Sequence, residues 1–150
     1  MNSLFNSTGL IVIPDWNESD LKGKNGKKVL VVTQMDEVSD DLVQFLTKIL
    51  EAVKLNFSAD VHFYNITHGQ SISFFELNKS HQYRKIISFG ANPSDLCLKI
   101  QVNLYENIEL QDKSFLFVDD LNVIFQERKA GKKAKAAQLW QALKNLFKTS

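Results

Sequence analysis

The sequence predicts a single α/β domain, a three-layer sandwich with a mainly parallel central sheet. Three observations lead there. The runs KVLVVT (28–33), KIISF (85–89) and SFLFV (114–118) are apolar almost throughout, the pattern of strands buried on both faces. Between them lie segments with apolar residues at helical spacing, and parallel strands need such crossovers. The chain has 150 residues, 44% of them hydrophobic, enough to build one core without disulfides or metal.

Residues 1–27 read as an arm and linker, with an apolar patch running into Pro14-Asp15-Trp16 and then a turn-forming Lys-Gly-Lys-Asn-Gly-Lys stretch. The α/β domain is expected over 28–150. Lys28 to Thr33 opens it as a central strand. Ser39 can cap the next helix, because Asp40 and Asp41 in its first turn oppose the positive end of the helix dipole. Leu42, Phe45, Leu46, Ile49, Leu50 and Val53 then mark one buried face. Val61 to Ile66 has strand composition, His68-Gly69 ends it, and Ser71 to Asn78 reads as a second helix starting near Ser71 or Ser73. Gly90 stops the strand Lys85 to Phe89, and Asn92-Pro93 fits a cap and first position for a brief helix through Leu98. Val102 to Leu110 is ambiguous. After Ser114 to Val118, Asp119 or Asp120 caps a helix Leu121 to Gln126, and Gly131 precedes a final helix reaching about Phe147. The apolar stripe of that helix reads as Ala136, Trp140, Leu143 and Phe147, packed on the sheet.

Composition excludes several classes. Cys97 is the single cysteine, so no internal disulfide forms and a reducing compartment is the simpler home. No apolar run approaches the ~18 residues of a membrane span, and Met1 to Leu10 carries no basic residue ahead of an apolar core. A cytoplasmic protein with no membrane partner is therefore expected. The net charge of +1 is uneven: seven basic residues face one acid from Glu127 to Ser150, leaving the remainder net negative. That asymmetry suggests an acidic or phosphate-bearing partner for the tail.

Open α/β sheets place function at the carboxyl ends of their strands. Here those positions hold Gln34, Met35 and Asp36; Thr67 and His68; Gly90, Ala91 and Asn92; and Asp119 and Asp120. The two aspartates could ligate a divalent cation, but helix capping is the simpler role. His68 could serve as a base, though its place before Gly69 favours a solvated turn, and His62 and His81 show no ligand spacing. No metal or cofactor is expected, because phosphate-loop, dinucleotide, nucleophile-elbow, HExxH and CxxC patterns are all missing from the chain. Cys97, between Leu96 and Leu98, reads as a buried small hydrophobe.

Two surfaces remain. Arg128, Lys132, Lys133 and Lys135 form a basic segment, with the last three expected in the first turn of the final helix. Positive charge there opposes the dipole, so either an anion such as nucleic-acid phosphate compensates or the segment is simply solvated. Leu4, Phe5, Ile11, Ile13 and Trp16 make the arm too apolar for a solvated tail. It either docks on its own domain, for example as an edge strand Leu10 to Ile13, or binds another protein.

Taken in order, KVLVVT, a helix ending KILEAVKL, DVHFYNI, KIISFG, SFLFVDDL and the terminal KAAQLWQALKNLF resemble the psi subunit of bacterial DNA polymerase III. The resemblance covers residues 28–148 and includes a Leu-Trp-x-x-Leu ending in outline. It implies a domain similar in fold to uracil-DNA glycosylase but without catalysis. It also implies an adaptor whose arm, Leu4 to Trp16, binds the clamp loader, while the folded domain binds the chi subunit, which contacts single-strand binding protein. An enzyme of that fold is the alternative, using Gln34, Asp36 and Asn92. In Thr33-Gln34-Met35-Asp36 the acid is displaced by one residue from the glycosylase loop, and Asn92-Pro93-Ser94 lacks the histidine of the second loop. A nucleic-acid binder using the basic segment is the third reading.

Overall fold

The computed structural model describes residues 18–67 and 70–147. Among the described residues, five strands form one mixed sheet: β1 (Val29–Thr33), β2 (Val61–Asn65), β3 (Lys85–Phe89), β4 (Asn107–Leu110) and β5 (Lys113–Val118), in the order β2-β1-β3-β5-β4. The first three and β5 are mutually parallel, in register from Val29 to Val61 and Lys85, and from Lys85 to Ser114. Only β4 runs antiparallel, pairing Ile108 with Phe115. The helices are α1 (Asp40–Ala52), α2 (Phe74–His81), α3 (Leu121–Lys129) and α4 (Ala134–Leu146), with short 3-10 turns at Glu18–Asp20 and Pro93–Leu96.

The apolar run of β1 follows from its place between two parallel neighbours, which leaves all five residues buried. Its alternate side chains serve two cores. Val29 and Val31, with Phe63, Ile87 and Leu116, meet Leu46 and Leu50 of α1, Leu121 and Ile124 of α3, and Leu143 of α4. Leu30 and Val32, with Tyr64, Ile86 and Phe115, meet Phe74 and Leu77 of α2 and Leu96 beyond β3. Helices therefore cover both faces, as a parallel sheet requires.

Local chemistry sets the boundaries. Ser39 caps α1, its Oγ accepting from the Leu42 N–H at 3.2 Å. Lys28 lies outside β1 at φ 60°, and the Ile66 N–H still reaches the Thr33 carbonyl after β2 ends. The second helix starts later than Ser71, because the Ile72 N–H is held by the Asp95 carbonyl at 2.9 Å, and Ser73 supplies the cap. Expected to end at Gln126, α3 continues to Lys129, where Arg128 and Lys129 favour the negative end of its dipole and Gly131 (φ 85°) follows. The ambiguous segment contains β4, whose pattern of exposed and half-buried residues is that of an edge strand.

The described part of the expected linker is tied to the sheet. Lys22 exchanges two 2.9 Å backbone bonds with Phe63 of edge strand β2, and Asn25, Gly26 and Lys27 donate to the carbonyls of Val61, Ala59 and Asp60. Gly23 sits at φ 95° against the Val61 carbonyl, where a Cβ would collide. No helix among the described residues is long and apolar enough to cross a membrane.

Candidate functional site

The order β2-β1-β3 makes the carboxyl ends of β1 and β3 the topological switch point, where α/β sheets bind ligands. Gln34, Asp36 and Asn92 fall on these two ends, but the neighbouring polar groups are bonded within the chain. Asn65 Oδ1 accepts from Thr33 Oγ1 at 2.8 Å and from the Met35 N–H at 2.7 Å, while its Nδ2 donates to the Met35 carbonyl at 3.0 Å. Ser88 Oγ donates to the Ala91 carbonyl at 2.8 Å, and the Asn92 N–H donates to Asp95 Oδ2 at 2.9 Å. Gly90, at φ 93°, brings the chain so close to Asp120 that a Cβ would meet its Cα at 3.0 Å. Met35 and Ala91 are buried; Gln34 is half-buried, and Asp36 and Asn92 are exposed.

The aspartates after β5 have separate duties. Asp120 caps α3, accepting from the Asn122 N–H at 2.8 Å. Asp119 Oδ2 accepts from Tyr105 Oη at 2.7 Å and lies 3.6 Å from Lys135 Nζ, which is also 3.8 Å from Glu127. Burial, reinforced by the hydrogen bond to Asp119 and that residue's negative charge, pushes the Tyr105 hydroxyl well above the usual tyrosine range. Tyr105 stays a neutral donor. Among the described residues no group of three or more His, Cys, Asp or Glu side chains is placed to share a metal ion.

These contacts revise the basic segment. Lys132 and Lys133 precede α4 instead of occupying its first turn, with Lys133 as the N-cap residue. Lys135 does lie in that turn, yet Asp119 and Glu127 neutralise it, which offsets its conflict with the dipole without any external anion. Arg128, Lys132 and Lys133 are exposed.

The stripe of α4 is also corrected. Leu139, Ala142, Leu143 and Leu146 face the core, and Trp140 is 42% exposed. One wall of a groove of about 500 Å³ is Trp140, with Ala136, Leu139 and Leu143 beside it. Phe45, Lys48, Ile49 and Ala52 of α1 form the opposite wall, and Phe125, Arg128 and Lys129 of α3 complete it. The Phe45 and Phe125 rings pack at 5.1 Å. Lys129 Nζ stands 5.2 Å over the Phe125 ring and Lys144 Nζ 5.6 Å over Trp140. The groove is thus apolar in its lining and cationic at its rim, with no acid among its lining residues. Sequence reasoning missed it because Phe45 and Ile49 carry the same periodicity as the buried residues of α1. Lys48 between them was the available signal.

Two further expectations change. Cys97 is exposed, because it occupies a left-handed position (φ 57°) after the 3-10 turn that points Leu96 and Leu98 inward. His62 and His81, unrelated in spacing, meet edge-on with ring centroids 4.7 Å apart, and His62 Nδ1 lies 2.7 Å from Tyr83 Oη. The arm residues Leu4, Phe5, Ile11, Ile13 and Trp16, and the turn residue His68, lie outside the described residues. Compared with protein-family models and with curated proteins, the chain matches none.

Proposed function

We propose that the chain is a non-catalytic adaptor similar to the psi subunit of bacterial DNA polymerase III, acting through protein contacts at the replication machinery. The observation that carries this reading is a division of the surface. Polar groups around the switch point are bonded to the chain itself, whereas an exposed tryptophan and a cation-rimmed apolar groove lie on the helical face. Exposed aromatic and arginine side chains are the residue types that anchor protein interfaces. In this reading the arm, through Leu4, Phe5, Ile11, Ile13 and Trp16, contacts the clamp loader, and the domain has a uracil-DNA glycosylase-like fold, which the mainly parallel sheet supports.

Purified clamp-loader subunits should co-elute with the full chain in size-exclusion chromatography. The substitutions Leu4→Ser, Phe5→Ser and Trp16→Ser together should abolish co-elution. Co-elution that survives them, or is missing with the parent chain, rejects the reading.

A further inference from the structure

We infer that the groove between α1, α3 and α4 takes an acidic amphipathic helix presented by a protein partner. The inference rests on the adaptor reading, which gives this face to protein contact, and it adds the chemistry of what binds there. Charge complementarity points to such a partner. Among the described residues, no carboxylate pairs with Lys48, Arg128, Lys129 or Lys144 around the groove, and no acid lines it. The negative ends of α3 and α4 account for Arg128, Lys129 and Lys144 in their last turns. They do not account for Lys48, which precedes the last turn of α1. A cationic rim that the described chain leaves without an acidic partner is complementary to a segment rich in Asp or Glu.

The lining decides which acidic ligand fits. Its aromatic rings are already partly covered: Phe45 and Phe125 pack on each other, Lys129 stands over Phe125 and Lys144 over Trp140. A nucleic-acid strand needs open ring faces on which its bases stack, whereas aliphatic side chains pack well against Ile49, Ala52, Leu139 and Leu143. The length of the groove also fits a helix. Phe45 to Ala52 of α1 and Ala136 to Leu143 of α4 each run about two turns, roughly 10 Å. A docked helix covers that distance with apolar residues at i, i+3 or i+4, and i+7, and its acidic flanks then reach Lys48 on one wall and Lys144 on the other. A second copy suits the groove less well, because a two-fold contact would bring Lys48, Arg128 and Lys129 against their own copies.

The probe is a fluorescein-labelled amphipathic peptide of about 18 residues, leucine on one face and glutamate on the other, titrated with the full chain and read by anisotropy. It should bind, and a peptide with lysine in place of glutamate should not. Lys48→Glu together with Arg128→Glu, at two exposed side chains, should weaken binding by about 10-fold or more. Trp140→Ser should weaken it by a similar factor, with an unchanged far-UV circular dichroism spectrum showing that the domain has stayed folded. Lys99→Glu, a charge reversal at an exposed site beside Leu98 on the other face of the sheet, should leave binding unaltered. Added salt should weaken binding of the glutamate peptide.

Equal binding of the glutamate and lysine peptides overturns the inference, and so does glutamate-peptide binding that is missing or that survives the groove substitutions. Displacement of the probe by oligothymidylate at lower concentration than by unlabelled peptide also overturns it, assigning the groove to nucleic acid. A dimer in sedimentation that Trp140→Ser dissociates overturns it as well, assigning the groove to a second copy. Failure here is distinguishable from failure of the adaptor reading, because neither a clamp-loader subunit nor an arm substitution enters the measurement. The peptide can bind a chain that ignores the clamp loader, and the clamp loader can co-elute with a chain that ignores the peptide.

Discussion

Replacing Asn65 with alanine removes three hydrogen bonds at the end of the central strands. Its amide holds Thr33 Oγ1, the Met35 N–H and the Met35 carbonyl at 2.7–3.0 Å, and Thr33 and Met35 are 0% and 3% exposed. Water cannot readily replace the lost partner at such buried groups. At the low end of the cost of stranding a buried polar group, ~1 kcal/mol each, the three together come to about 3 kcal/mol. Asn107→Ala is the control: it breaks one longer bond, 3.3 Å to the Ala142 carbonyl, from an exposed side chain, and should cost under ~1 kcal/mol. Urea unfolding reads both. With a slope near ~2 kcal/mol per molar, Asn65→Ala should lower the midpoint by about 1.5 M while leaving the slope unchanged. Equal midpoint shifts for the two variants would refute the argument that Asn65 fastens the loop after β1.

The Tyr105 hydroxyl titrates higher in the folded chain than in the unfolded one, so its contribution is complete below about pH 10 and is lost as pH rises beyond that. Tyr105→Phe should therefore flatten the alkaline arm of the stability profile in denaturant titrations; an unchanged alkaline slope would count against the Tyr105–Asp119 bond. The orientation of α4 can be tested by comparing two neighbours. Leu139→Ala, at a site 4% exposed, should cost about 2–5 kcal/mol, whereas Trp140→Phe should cost under ~1 kcal/mol. Equal losses in thermal or urea unfolding would refute this orientation of α4, and a larger loss for Trp140→Phe would put Trp140 in the core in place of Leu139.

The fold class was legible where burial leaves a mark on residue type. Because β1 and β5 lie inside the sheet, their residues are apolar almost without a break, and Ser39 with two following aspartates marked the start of α1 at the residue where it begins. Edges were harder to read. β4 has a neighbour on one side only and alternates between exposed and half-buried residues, so its four residues carry little more signal than a loop. Two serines near α2 offered equal caps, and the choice fell to a hydrogen bond between Ile72 and Asp95, 23 positions away.

By itself, then, the sequence determined the alternation of strand and helix, the parallel sheet that alternation demands, and the concentration of positive charge near the end of the chain. These are properties of local composition and period, and local physics dictates them. Tertiary structure alone decided which way each amphipathic surface turns and which distant groups meet. The large side chains of α4 suggested a stripe through Trp140, but packing on β4 and β5 selected Leu139, Ala142, Leu143 and Leu146 and left the indole at the surface. Lys135 became part of an ion pair because β5 and α3 deliver Asp119 and Glu127 to it. His62 and His81 became neighbours because the end of α2 returns beside β2. The groove exists for the same reason: residues of three helices that meet over one face of the sheet line it together, and no single stretch of chain encodes that meeting.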